Sequence, residues 1–294
     1  LEIGANHFQM TYYLLLLVLV LGVAYLIDAY RKKQLPHYFK ALGVMVLAVV
    51  LAIATNATNL LATQEYAAFS TRGDTGLTIT AEGTEQKSDG LSFDYITEYS
   101  YGILESFNLF IPRFMGGSSA EKLGEDSEMY QQLIKMGASP AQARDFAKNA
   151  PTYWGDQPFV GAPAYIGASV LFLFVFALFL IKGRLKWWIV GGTILALLLS
   201  WGKNFLFLTE FFIEYVPLYD KFRAVSSIQV IIELCVPILA IFGLYKLFNE
   251  FEKAEEKQYA LKWATIITGG VALLFLVFKS ALFNFNGGND AVYM

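Results

Sequence analysis

The sequence predicts an all-α polytopic membrane protein, with about six transmembrane helices, interfacial helices and one long extracytoplasmic loop region. Three observations carry that prediction. Hydrophobic residues make up 56% of the 294 positions and the mean hydropathy is +0.47, too apolar for a surface that must be solvated on all sides. Charged residues reach only 16%, below the roughly 25% usual in soluble proteins. The chain carries apolar runs about 20 residues long, the length needed to cross a hydrocarbon core, with most of the charge between them.

The predicted spans cover residues 11–30, 39–62, 163–181, 185–201, 225–248 and 260–282. The fourth is the shortest, and crosses only with little tilt or with local thinning of the bilayer. Three short connections carry the cations: Arg31, Lys32, Lys33 and Lys40; Lys182, Arg184 and Lys186; Lys246, Lys253, Lys257 and Lys262. With six alternating spans all three fall on one side, which the positive-inside rule makes cytoplasmic. Residues 63–161, the loop 202–224 and both ends then lie outside. The chain accordingly divides into an outer stub with two spans (1–62), an extracytoplasmic loop region (63–161), and four spans with an outer stub (162–294). The chain begins at Leu1 and ends shortly after a span, and is read as the central fragment of a longer protein.

The loop region has local structure of its own. Arg72-Gly73-Asp74-Thr75-Gly76 and Asp89-Gly90 are turn sequences. Asp126 or Ser127 caps a short helix that presents Met129, Leu133 and Ile134 on one face and ends at Gly137. Ser139-Pro140 opens a second helix through about Lys148. The run 101–112 is apolar but too short to cross, and reads as a helix lying in the membrane interface, as does 205–215 with Glu210 and Glu214 on one face.

Composition narrows the chemistry. A net charge of -3 without a basic stripe argues against nucleic acid. The single cysteine, Cys235, sits in an apolar run, forms no intrachain disulfide and supplies no cysteine-based metal site. No metal cluster, nucleophile elbow or phosphate-binding glycine loop is evident. No cofactor is evident either, with a divalent metal left open.

Several segments, taken in order, resemble a known family. They are His7-Phe8-Gln9-Met10-Thr11-Tyr12-Tyr13, Ile111-Pro112-Arg113-Phe114-Met115-Gly116-Gly117, Tyr153-Trp154-Gly155 before Pro158-Phe159 and Tyr165-Ile166-Gly167, Gly202-Lys203-Asn204, and Pro217 through Arg223. Their order along nearly the whole chain resembles the bacterial YfhO-type membrane proteins. The resemblance implies a GT-C-like glycosyltransferase in the bacterial cytoplasmic membrane, multi-pass, using a polyprenyl-phosphate-linked sugar on the outer face. The family's key acidic residue lies in a first outer loop for which this sequence has no counterpart, so the catalytic residue is unknown. The alternatives are a transporter or flippase of lipid or polyprenyl-linked substrates, and a non-catalytic membrane assembly protein. The partners expected are membrane lipids and the polyprenyl-linked sugar.

The candidate binding residues follow from position and chemistry. His7 and Gln9 precede the first span on the outer side, where a sugar hydroxyl or phosphate would be met. Lys203 and Arg223, with Lys221, lie at the outer ends of spans four and five. Arg offers a phosphate a planar fork, and Lys a point charge. Their alternative is snorkelling to headgroups. Arg113 is a third cation of this kind. Trp154 is a belt anchor or a sugar-stacking ring. Gln229 and Glu233 are intramembrane polar residues one turn apart, and Pro237 leaves the Glu233 carbonyl without its helical donor. The reading is that amide, carboxyl and carbonyl share one face. They would either hold the bundle together or line a polar path.

Overall fold

The computed structural model describes residues 2–70, 72–73, 90–283 and 285. The turn residues 74–76 and Asp89 fall outside the described residues, as does the end of the chain from 286. The chain is helical, and among the described residues extended pairing is limited to two isolated bridges. The described residues form eleven α-helices, in chain order: α1 (Phe8–Arg31), α2 (Leu35–Thr55), α3 (Ala57–Ala68), α4 (Phe93–Thr97), α5 (Glu128–Lys135), α6 (Pro140–Ala147), α7 (Ala168–Leu180), α8 (Arg184–Ser200), α9 (Leu206–Tyr215), α10 (Gln229–Phe248) and α11 (Ala254–Leu282).

Four described helices are long and apolar enough to cross a membrane: Phe8–Arg31, Leu35–Thr55, Val225–Phe248 and Ala254–Leu282. A fifth crossing is available if Arg184–Ser200 and Gly202–Tyr215, bent by 110°, form one broken span. These are the helices of a multi-pass membrane protein. Every predicted span has a helix within it, but α7 has only 13 residues, about 20 Å at 1.5 Å per residue. The second span ends at Thr55 rather than near 62, because Asn56 turns its side-chain amide back onto the Ala52 carbonyl at 2.8 Å and α3 starts afresh.

The chain divides into two compact units, Leu1–Ser100 with Ile181–Phe242, and Tyr101–Leu180 with Gly243–Met294. In the first, α8 packs on α1, and α2 returns beside α1 with the Tyr38 hydroxyl on the Gly22 carbonyl at 3.1 Å. Glycine permits the close approach. A Cβ on Gly192 would lie 2.4 Å from Leu17 Cδ1, and one on Gly191 would lie 3.1 Å from Val20 Cγ1. Small residues at such contacts are how helices associate where lipid tails remove the hydrophobic drive. Cys235 is fully buried near Gly192.

The second unit contains α7 packed on α11 through buried Phe176, Leu180, Ala260 and Ala264. Gly243, in the last part of α10, sits against Ala177; a Cβ there would come within 2.7 Å of the alanine's own. Its polar part holds the predicted helix pair. Ser127 Oγ accepts from the Tyr130 N–H to start α5, and Gly137 at φ +96° ends it. Ser139 and Gln142 form a reciprocal capping box on α6. Tyr130, Ala143 and Ala147 close the core between them.

The run 101–112 departs from the expected flat α-helix. It forms a short 3-10 helix, Leu104–Leu109, in which Glu105, Asn108 and Leu109 are buried. With three residues per turn, Glu105 and Asn108 eclipse one another. That face carries two polar groups, so it folds onto protein donors instead of lying on an apolar surface.

Candidate functional site

The first unit brings together residues from the start of α1, the segment 91–100 and the loop 217–226. Leu91 N–H donates to the Asp220 carbonyl at 3.0 Å, Ala224 N–H to Ile96 at 3.1 Å, and Ser226 N–H to Tyr99 at 3.1 Å. Leu218 and Ala224 hold left-handed backbone at φ +68° and +57°, uncommon for residues with a Cβ. Such conformations persist where surrounding contacts over-determine them. Here the Ile96 carbonyl holds Ala224, and Tyr12 holds Pro217 beside Leu218.

Gln9 joins this loop to α1. Its Nε2 donates to the Tyr13 hydroxyl and to the Arg223 carbonyl, each at 2.7 Å. Tyr12 donates to the Pro217 carbonyl at 2.9 Å and its ring packs on Phe222 and Tyr219. The Arg223 guanidinium lies over the Tyr95 ring, 5.3 Å from its centre, and donates to the Tyr95 hydroxyl at 2.8 Å. Arg223 stays exposed. The result is a guanidinium fixed in direction by an aromatic hydroxyl, with donors left to offer an anion. Tyr219, packed on Tyr12 and Phe212, is buried, and burial raises its phenol well above the ordinary range, so it stays neutral.

The other predicted residues are distributed differently. His7 is the N-cap of α1; its carbonyl accepts from Met10 and Thr11, and its ring is exposed. Lys203 also has an exposed side chain, while its N–H donates to Ser100 Oγ at 3.0 Å. The neighbouring Gly202 must be glycine, since a Cβ would fall 2.1 Å from that same oxygen. Lys221 pairs with Asp220 at 3.4 Å.

Gln229 and Glu233 do not share an environment. Gln229 is buried, and its Nε2 has no hydrogen-bond partner among the described residues, whereas Glu233 is exposed. Four residues advance about 40° beyond a full turn. The buried stripe of α10 through Ile232, Val236 and Leu239 ends between the two.

In the second unit Arg113 is already engaged. Its two terminal nitrogens meet both oxygens of Glu121 at 2.7 Å, a fork-to-fork pair. Arg113, then the Thr152 hydroxyl, hold the Glu121 carboxyl below its ordinary range. Gly116 (φ +85°) and Gly117 let the chain press on Thr152: a Cβ on Gly116 would sit 1.9 Å from the Thr152 carbonyl oxygen. The Gly-Gly pair therefore builds a turn and does not cradle a phosphate. The Trp154 ring packs edge-on against Phe283 and Phe285.

A buried cluster beside these residues was not singled out from sequence. Glu105 accepts from the Tyr153 hydroxyl, from Gln157 Nε2 at 3.0 Å and from the Gly102 N–H at 3.0 Å. Gly155 allows Tyr153 to fold back, since a Cβ there would lie 2.3 Å from the Tyr153 oxygen. Burial pushes the Glu105 carboxyl above the ordinary range and Asp156 adds to it, while the three donors pull the other way. With 1% exposure and three donors, Glu105 is a pin that sets the Tyr153-Trp154-Gly155 turn, without access to a substrate. The only available signal was one Glu in an otherwise apolar run. Among the described residues no group of three or more His, Cys, Asp or Glu is placed to hold a metal ion.

Comparison with protein-family models, with curated proteins and with solved structures finds no match to this chain.

Proposed function

We propose that the chain is part of a GT-C-like membrane glycosyltransferase that binds a polyprenyl-phosphate-linked sugar at the loop ends of α1 and α10. The single observation that carries this reading is Arg223, held over Tyr95 and tied through its carbonyl to Gln9. A guanidinium at the end of a span, oriented and exposed, suits a phosphate whose lipid tail stays in hydrocarbon. Exposed Lys203 and His7 lie in the same unit and supply further polar contacts.

The same reading takes α1, α2, α7, α8, α10 and α11 as six crossings in the bacterial cytoplasmic membrane. The three basic connections then lie in the cytoplasm and 63–161 lies outside. The bend of 110° after α8 supports this count, because a helix turned so far from a spanning one runs close to the membrane plane. α9 then has the interfacial position expected of 205–215, with Phe207 and Tyr215 exposed.

The test is direct. The chain, and any longer parent that contains it, is reconstituted in nanodiscs with polyprenyl-phosphate sugar labelled in the sugar. Saturable binding competed by unlabelled polyprenyl phosphate, but not by phosphatidylcholine, supports the reading. Absence of such binding in both refutes it. The transporter reading predicts instead movement of intact donor across vesicles, and Gln229, a buried amide in a spanning helix whose Nε2 has no hydrogen-bond partner among the described residues, is the observation that favours it.

A further inference from the structure

A groove of about 840 Å³ runs along α1 and α8 within the first unit, and its charged end is formed by residues outside the Arg223 site. Its walls are apolar: Leu16 and Val23 of α1, Trp187 and Leu195 of α8. Phe212 and Val216 close one end, next to the Tyr12–Pro217 hydrogen bond. The other end is charged and is lined by Asp28, Arg31 and Arg184. From Leu16 to Arg31 the stripe on α1 is about 22 Å long at 1.5 Å per residue, more than the ~15 Å half-thickness of a hydrocarbon core. One acyl chain of a leaflet therefore fits with its headgroup at the charged end.

The charges at that end do not cancel. Asp28 accepts from Arg184 at 3.0 Å and, outside the lining, from Lys32 at 3.0 Å, so two lining arginines stand against one lining carboxylate that is already shared with Lys32. Arg184 is also fixed over the Tyr25 ring, 4.3 Å from its centre, which orients its fork before any ligand arrives. We propose that this groove is a binding site for an anionic phospholipid, one chain lying between α1 and α8 and the phosphate held by Arg31 and Arg184. The site is independent of the glycosyl-transfer reading and concerns a lipid of the bilayer, not the sugar donor.

Trp187 in the wall provides the readout. The full chain is reconstituted in phosphatidylcholine vesicles containing a minor, equal fraction of brominated-chain phosphatidylglycerol or brominated-chain phosphatidylcholine. The Trp187 contribution is the difference between the parent and Trp187→Phe. Brominated phosphatidylglycerol is expected to quench it severalfold more effectively than brominated phosphatidylcholine, and the double variant Arg31→Gln, Arg184→Gln is expected to abolish the preference. Equal quenching by both lipids in the parent means ordinary boundary lipid fills the groove, and overturns the proposal. If Trp187→Phe does not fold, the phospholipid retained by the purified parent and by the double variant is extracted and quantified. An unchanged ratio of phosphatidylglycerol to phosphatidylcholine overturns the proposal equally.

Discussion

Gln9 and Arg223, 214 residues apart, are joined by one hydrogen bond from the Gln9 amide to the Arg223 carbonyl at 2.7 Å. The bond uses the backbone of Arg223 and leaves its guanidinium to Tyr95 and to solvent. Orientation of the cation is thus set by Gln9 and Tyr95, and its charge by Arg223 itself. Substitutions can separate the two.

On the proposed donor reading, Arg223→Ala would remove a charge-assisted contact worth roughly 1.5–3 kcal/mol, and affinity for a polyprenyl-phosphate donor should fall by about tenfold to a hundredfold. Arg223→Lys retains charge without the fork and should recover only part of that loss. Gln9→Ala leaves the charge untouched and should weaken donor binding less than Arg223→Ala, while lowering thermal stability in detergent by about 1 kcal/mol. Titration of labelled donor into the three variants checks the order. Full replacement of Arg223 by Lys would identify a headgroup anchor instead.

The Glu105 pin makes a prediction with a definite sign. Its carboxyl is raised above 4.5 by burial, so the folded chain binds that proton more tightly than the unfolded one. The stability this contributes is complete below the unfolded value and is lost as pH rises through the folded value. Trp154 fluorescence in the same unit should therefore report a denaturation midpoint that falls as pH rises above 4.5, measured relative to Glu105→Gln, which cannot titrate. A constant difference between the two proteins would show that Glu105 is not raised. Glu105→Ala should be worse at every pH, orphaning the Tyr153, Gly102 and Gln157 donors at about 1–3 kcal/mol per buried group.

Arg113 and Glu121 give the opposite dependence. Glu121 is lowered by its arginine, so its contribution is present above the ordinary carboxylate range and lost on acidification. With the Arg113 side chain 59% exposed, the pair is worth about 1 kcal/mol or less. Arg113→Lys should cost only that and leave donor affinity unchanged. A tenfold loss of donor affinity would return Arg113 to the binding residues. Gly116→Ala should cost far more than Arg113→Lys, since Gly116 holds φ +85° and its Cβ would meet the Thr152 backbone carbonyl oxygen at 1.9 Å. Melting temperatures of the two variants decide this.

Orientation is testable with cysteines. Cys235 is buried and contributes little background. Met136, 82% exposed after α5, and Glu255, exposed at the start of α11, are substituted singly by Cys. An impermeant thiol reagent should label position 136 in intact cells, and position 255 only after lysis. The reverse pattern would invert the six-crossing topology.

The apolar runs and capping pairs were legible because each is a local pattern. Ser127 and Ser139 cap the helices that their spacing predicts, and all six runs contain helices. The contacts that matter for the site were not local. Nothing near Gln9 in sequence points to Arg223, and Tyr95 lies in a segment that carries no periodic signal. The Gly-Gly pair at 116–117 looked like part of a recognition segment, and its partner, Thr152, is more than 30 residues on. Glu105 was hidden for the same reason: its donors at Tyr153 and Gln157 lie 48 and 52 residues away.

Glu233 shows how far a helix phase of 40° can move an expectation. Read from sequence, a carboxyl one turn from Gln229 belongs inside the bundle, and Glu233→Leu should destabilise. In the structure the buried stripe of α10 stops short of it, and Glu233 is exposed. With α10 taken as a crossing, the exposed Glu233 carboxyl lies about 12 Å into the span, at a depth where an acidic group facing hydrocarbon costs about 2.5–3.5 kcal/mol. Glu233→Leu should then raise thermal stability of this chain in nanodiscs, and Glu233→Gln should raise it less, since the amide is still polar. Cytoplasmic and outer loops are unaffected by either change, so the comparison isolates the membrane face of α10. Destabilisation by Glu233→Leu would mean that the carboxyl has a hydrogen-bonding partner in the bilayer, and would restore the polar path on which the transporter reading depends.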